Sequence, residues 1–145
     1  MKWKNEAMEK LRRYNAMCAA KENISREIER LRMEASAIRR ADPSVTPVRG
    51  SGDPHNNRLL NNIAQREELD WNLKLVKSWL ANTERGLLAL PEDEQRILRR
   101  MFLAPQPDAL SQLCAELGAE QSTVYRKRDQ ALEHFAVAMY GFTET

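Results

Sequence analysis

The side chains that carry out most protein chemistry are thinly spread along this 145-residue chain. Its two cysteines, Cys18 and Cys114, and its two histidines, His55 and His134, lie far apart, and no CxxC pair occurs. A tetrahedral zinc site built only from thiolates and imidazoles needs all four to converge, so no metal is expected. Both cysteines are expected to be buried, reduced thiols. No Ser/His/acid spacing suits a nucleophile and its base. Gly50-Ser51-Gly52 lacks both the Gly-Lys-Ser/Thr ending and the preceding strand of a phosphate-binding loop. The acidic pairs Glu67-Glu68 and Asp93-Glu94 fall within helical patterns, where a solvated face explains them. No enzyme and no cofactor are expected.

What remains is a binding constellation near the carboxyl end. In Leu110-Ser-Gln-Leu-Cys-Ala-Glu-Leu-Gly-Ala-Glu-Gln-Ser-Thr-Val-Tyr-Arg126, Leu113 and Leu117 are apolar. Cys114 is small where two helices must approach closely, and Gly118 suits a left-handed turn. Three residues later a second helix opens, anchored by Val124. A helix-turn-helix needs this punctuation so that its second helix stands proud of the first. The leading side chains of that helix then enter a major groove about 12 Å wide. Here the candidate DNA-binding residues are Gln121, Ser122, Thr123, Tyr125, Arg126, Lys127 and Arg128. Gln suits adenine and Arg suits guanine, so Gln121 and Arg126 are the base-edge candidates. Ser122 and Thr123 are expected on phosphate or capping the helix, and Tyr125 either on phosphate or against the preceding helix. Lys127 and Arg128 are phosphate candidates, with Arg99 and Arg100 as outlying ones. The stem of Lys127 is expected along the core edge, its ammonium in solvent.

Charge is divided unevenly around that constellation. The net value is +2, yet residues 1–41 carry eleven Lys or Arg against six Glu, whereas residues 91–145 carry six basic against nine acidic groups. Affinity for DNA comes largely from phosphate neutralisation, which an acidic module supplies poorly. Three remedies are implied: dimerisation, help from the basic N-terminal helix, or docking on RNA polymerase.

The elements that position the constellation read as helices throughout, so the expected fold is all-α: a long helical hairpin followed by a three-helix domain. Trp3 to Arg40 contains neither Pro nor Gly, and its apolar residues Tyr14, Met17, Ile24, Ile28, Leu31, Ala35 and Ile38 form a heptad-like seam. The first long helix is therefore placed at 1–41, ended by Asp42-Pro43. Residues 42–57, rich in Pro and Gly, read as a linker. The second long helix is placed at 58–90, with Leu69, Leu73, Val76, Leu80, Thr83, Leu87 and Leu90 at heptad steps. The two seams are compatible with pairing inside one chain or across a homodimer or higher oligomer. Residues 91–145 form the last domain: Pro91 with Glu92, Asp93 and Glu94 starts a helix, Ile97, Leu98, Met101 and Phe102 face inward, and Asp108 is an N-cap candidate. No segment has about 20 consecutive apolar residues, and no apolar run follows the N-terminal charges, so neither a membrane nor a secretory signal is expected and the expected location is cytoplasmic.

Leu87 to Phe102 together with Leu110 to Phe135, ending in Ala131-Leu-Glu-His-Phe135, resembles the C-terminal promoter-reading domain of bacterial sigma factors. Ser122-Thr-Val-Tyr-Arg126 is also similar to the recognition helix of resolvase-type domains. The chain as a whole, including Pro47 to His55 and Met139-Tyr140-Gly141, resembles small sigma-like regulators of Firmicutes prophages, the late-gene activators of the RinA and ArpU kind. The resemblance implies a sequence-specific regulator of phage genes that binds double-stranded DNA, with RNA polymerase as a further partner. Gln121 and Ser122 stand where sigma factors carry charge, which implies a different operator, and nothing resembles the aromatic region that melts DNA. Two other functions fit the same elements: a small terminase-like packaging subunit, and a helical adaptor that docks on polymerase without reading DNA.

Overall fold

The computed structural model describes residues 2–44 and 52–141. Pro47, Gly50 and Ser51 of the linker, and residues 142–145, fall outside them. Within the described residues the chain is all-α: α1 (Lys2–Arg12), α2 (Tyr14–Ala41), α3 (Pro54–Leu88), α4 (Glu92–Leu98), a π-helical turn (Arg99–Leu103), α5 (Ala109–Leu117) and α6 (Gln121–Tyr140). Two compact units divide it, one of residues 1–18 and 79–145, the other of residues 19–78. The unit containing α6 is thus larger than the 91–145 segment expected from sequence.

The N-terminal helix is interrupted at Arg13, although the ladder continues through it: Arg13 N–H donates to Glu9 O at 3.0 Å and Met17 N–H to Arg13 O at 2.9 Å. Pro43 stops α2 as expected. Asp42 closes the end, its carboxylate accepting from Ser44 N–H at 3.2 Å and Ser44 Oγ at 2.6 Å. These bonds, that from the Ser44 hydroxyl foremost, hold its carboxyl below the usual range. The second long helix begins at Pro54 rather than near Arg58. Asp53 explains the difference: its carboxylate accepts from His55 N–H at 3.0 Å, and Pro54 occupies the first helical position, where a missing N–H costs nothing. Turn-forming composition and a helix start use the same residues here.

In the unit of residues 19–78 the two long helices pair antiparallel within one chain. Ala35 and Ile38 of α2 pack on Leu59 and Ile63 of α3. Nearer the other end, Glu27, Arg30 and Leu31 share a groove with Gln65, Glu68 and Leu69. Between these levels the buried Asn62 donates from Nδ2 to Leu31 O at 2.7 Å and accepts from Arg66 Nε at 2.8 Å. A buried amide that has one good partner across the seam favours one register over its slips. α2 is also laced with its own ion pairs, Glu22–Arg26, Glu27–Arg30–Glu34 and Glu29–Arg32.

The other unit has one main core. Ala7 and Leu11 of α1 meet Leu87, Leu90, Leu98, Phe102, Leu103 and the α6 residues Ala131, Leu132, Phe135 and Ala136. Gly86 permits a close approach of α3 to α6: a Cβ there would collide with Met139 Sδ and stand 3.1 Å from Phe135 Cε2. The π turn, closed by Ala104 N–H to Arg99 O at 2.9 Å, seats Phe102 and Leu103 in this core. Glu84 ties three elements together. Arg99 Nη2 donates to its Oε1 at 2.6 Å, and Tyr14 Oη donates to its Oε2 at 3.1 Å. The Arg99 guanidinium holds the Glu84 carboxyl below the usual carboxylate range.

Candidate nucleic-acid interface

The local rules that build the α5–α6 corner were legible. Gly118 takes φ 60 and ψ 38, a left-handed conformation that lets Ala119 N–H reach Cys114 O at 3.1 Å and ends α5. Glu120 occupies the N-cap position without a side-chain cap, and Gln121 starts α6. Ile97, Leu113 and Val124 form a small buried core joining α4, α5 and α6, ringed by Met101, Leu110, Cys114, Leu117 and Ala119. Asp108 stands at the N-cap position of α5, but its carboxylate accepts the Gln112 side chain at 2.8 Å instead of capping. The thiols of Cys18 and Cys114 are free and half-buried rather than buried.

With Val124, Ala131 and Phe135 facing inward, the first two turns of α6 leave Gln121, Ser122, Tyr125 and Arg126 exposed. Arg126 makes no hydrogen bond or ion pair with the described residues. Thr123 is half-buried, and neither it nor Ser122 caps the helix. Tyr125 is 40% exposed, its ring covered on one face by the Arg128 guanidinium at 4.9 Å.

The other cations of the string are engaged within the protein. Lys127 does not leave its ammonium in solvent, as expected from sequence, but donates to Asp93 Oδ2 at 3.2 Å. Arg128 Nη2 lies 3.0 Å from Asp129 Oδ1. Arg99 is held by Glu84, and Arg100 Nη2 lies 2.5 Å from Glu116 Oε1. These four therefore serve the fold in this state, and Arg126 is the free cation among the described residues of the α6 string.

Two contributions to this face had no signal in the local sequence pattern. Asp129 lies one turn beyond Tyr125 and carries the wrong sign for a polyanion. Lys4 of α1 offsets it at 3.0 Å. Partial burial pushes the Asp129 carboxyl up, but the hydrogen bonds from Lys4 and Arg128 outweigh it and leave it low. Lys4 is 125 residues away in sequence, so only the packing of α1 on α6 brings it there. His134 pairs with the buried Glu94, its Nδ1 at 2.8 Å from both carboxylate oxygens, and so braces α6 against α4. Among the described residues no group of His, Cys, Asp or Glu is placed to hold a metal ion. No described helix is long and apolar enough to cross a membrane.

The chain matches no family model, no curated protein and no solved structure.

Proposed function

We propose that the protein is a sequence-specific, DNA-binding transcriptional regulator of phage or prophage late genes, in which α5 and α6 act as a sigma-like helix-turn-helix and α6 reads the major groove. One observation carries this reading: past the left-handed Gly118 turn, the leading face of α6 presents Gln121, Ser122, Tyr125 and Arg126 to solvent, and Arg126 has no partner among the described residues. Arg126 and Gln121 contact base edges. Ser122, Thr123 and Tyr125 contact sugar and phosphate. With Lys127 and Arg128 engaged internally, one chain offers few cations to phosphate. Useful affinity therefore requires two copies or a second partner such as RNA polymerase, and the protein acts in the cytoplasm.

Selection of bound oligonucleotides with the full chain tests the reading. The expected result is an enriched motif whose binding Arg126→Ala weakens while the far-ultraviolet circular dichroism is unchanged. No enrichment, together with no salt-dependent retention on heparin or DNA, overturns it in favour of a helical adaptor. A closed ring of eight or more chains in native mass spectrometry favours a terminase-like packaging subunit instead.

A further inference from the structure

The ion pairs around α6 are of two kinds. Lys127 with Asp93 and Arg99 with Glu84 each set one cation on one carboxylate, so a cation that leaves strands a negative charge. At Asp129 two cations share a single oxygen. Lys4 Nζ lies 3.0 Å from Oδ1, and Arg128 donates to the same atom from Nη2 at 3.0 Å and from Nε at 3.2 Å. The cluster thus holds one more positive charge than its carboxylate neutralises. Residues one apart on a helix point about 100° away from each other, so helix geometry does not favour the Arg128–Asp129 pair. Nη1 of Arg128 makes no hydrogen bond with the described residues. Its guanidinium lies over the ring of Tyr125, which is exposed on the leading face of α6.

We infer that Lys4 of α1 is a positioning residue for DNA binding: it keeps Asp129 neutralised while Arg128 turns from that carboxylate to a backbone phosphate. The inference rests on α6 facing DNA, and it adds to that reading the cation that meets the backbone beside Tyr125. A bare Asp129 one turn beyond Tyr125 would repel the phosphate that Arg128 is to hold, so Arg128 is released only where a second cation stays behind. The chemistry of the two side chains divides the labour. A guanidinium offers a planar fork that matches phosphate, whereas a compact ammonium remains a point charge on one carboxylate oxygen. Packing divides it the same way, because Ala7 and Leu11 fix α1 against α6, while Arg128 needs only a rotation of its own side chain. The help expected from the basic N-terminal helix then comes through Lys4 as a counter-charge.

The test is the salt dependence of DNA binding by the full chain, read by anisotropy of a fluorescein-labelled mixed-sequence duplex over about 20–150 mM salt. Each lost phosphate contact makes the slope of log affinity on log salt shallower by about 0.9 per bound chain. Arg128→Ala is expected to show this change. So is Lys4→Met, which keeps the stem but removes the charge, because Asp129 then retains Arg128. K4M/D129N recovers the parent slope, since Arg128 is free again. R128A/D129N stays shallow, although its cluster carries the same charge as K4M/D129N. Circular dichroism confirms that each variant is folded. An unchanged slope in Arg128→Ala or Lys4→Met overturns the proposal. So does a K4M/D129N variant that stays shallow, the mark of a lysine that only supports the fold. Recovery in R128A/D129N overturns it as well, because Lys4 would then be the phosphate contact. A parent that binds no DNA overturns both this inference and the reading of α6. DNA binding that Arg126→Ala weakens, with slopes indifferent to Lys4, overturns this inference alone.

Discussion

Lys127 Nζ of α6 lies 3.2 Å from Oδ2 of Asp93 in the first turn of α4, so a lysine from the middle of the candidate DNA-binding string spends its charge inside the protein. The Lys127 hydrogen bond holds the Asp93 carboxyl below its ordinary range, and the carboxylate also suits the positive end of α4. Asp93→Asn is expected to cost about 0.5–1 kcal/mol of stability in urea unfolding. It also frees a cation. In anisotropy titrations against duplex DNA, the slope of log affinity on log salt should steepen by about 0.9. A Lys127→Ala variant that loses as much DNA affinity as Arg126→Ala would show that the pair opens on binding.

Arg126 and Arg99 are expected to part company on mutation. Arg126→Ala should weaken binding to the selected operator by about 1–3 kcal/mol, with little effect on the urea midpoint. Arg99→Ala should do the opposite, lowering the midpoint by leaving Glu84 without its guanidinium while operator affinity per folded molecule is retained. Equal loss of operator affinity in both variants would remove the distinction drawn between a reading residue and a packing residue.

Three carboxylates, Glu84, Asp93 and Asp129, have folded-state pKa values below their ordinary ones. A group depressed in this way adds stability that is complete above its unfolded value and is lost as pH falls through the folded one. The unit of residues 1–18 and 79–145 should therefore hold its urea midpoint from neutral pH to about 5, then lose it progressively on further acidification. Glu84→Gln should start lower and fall less steeply over the acid limb. A parallel decline in parent and variant would show that Glu84 is not one of the linked groups.

Among the described glycines, Gly86 is the one whose missing side chain is needed by a neighbouring helix. Its Cβ position is 3.1 Å from the ring of Phe135, which is fully buried and has no room to retreat. Gly86→Leu is expected to destabilise by about 1–3 kcal/mol in thermal or urea unfolding. Gly86→Ala should cost less, because the Met139 thioether is flexible and alanine favours the helix.

The heptad residues were a good guide because helical periodicity is a local property. Ile28, Leu31, Ala35 and Ile38, and on α3 Val76, Thr83 and Leu87, with Leu90 just past its end, are all buried at the positions their spacing implies. Asp53-Pro54 misled for a physical reason: the pair fits a turn as well as a helix N-terminus, and only the carboxylate's bond to His55 N–H decides. Gly118 and Val124 were legible because a left-handed stop and an inward anchor leave marks at fixed offsets. The partners of Lys127 and Asp129 were not. Asp93 lies 34 residues from Lys127, and no spacing rule reaches across a tertiary contact.

The core that carries α6 is closed by Ala7 and Leu11, two residues from α1 that lie more than a hundred positions upstream of the helix they cover. Such long-range closure is entropically slow, and it cannot begin before α6 has been synthesised. During translation α1 must wait, its apolar stripe unsheltered, until α6 has left the ribosome. A nascent chain that stalls before α6, or one that has lost α1, is therefore left with this core open. Half-made copies lack the helix that completes their own core.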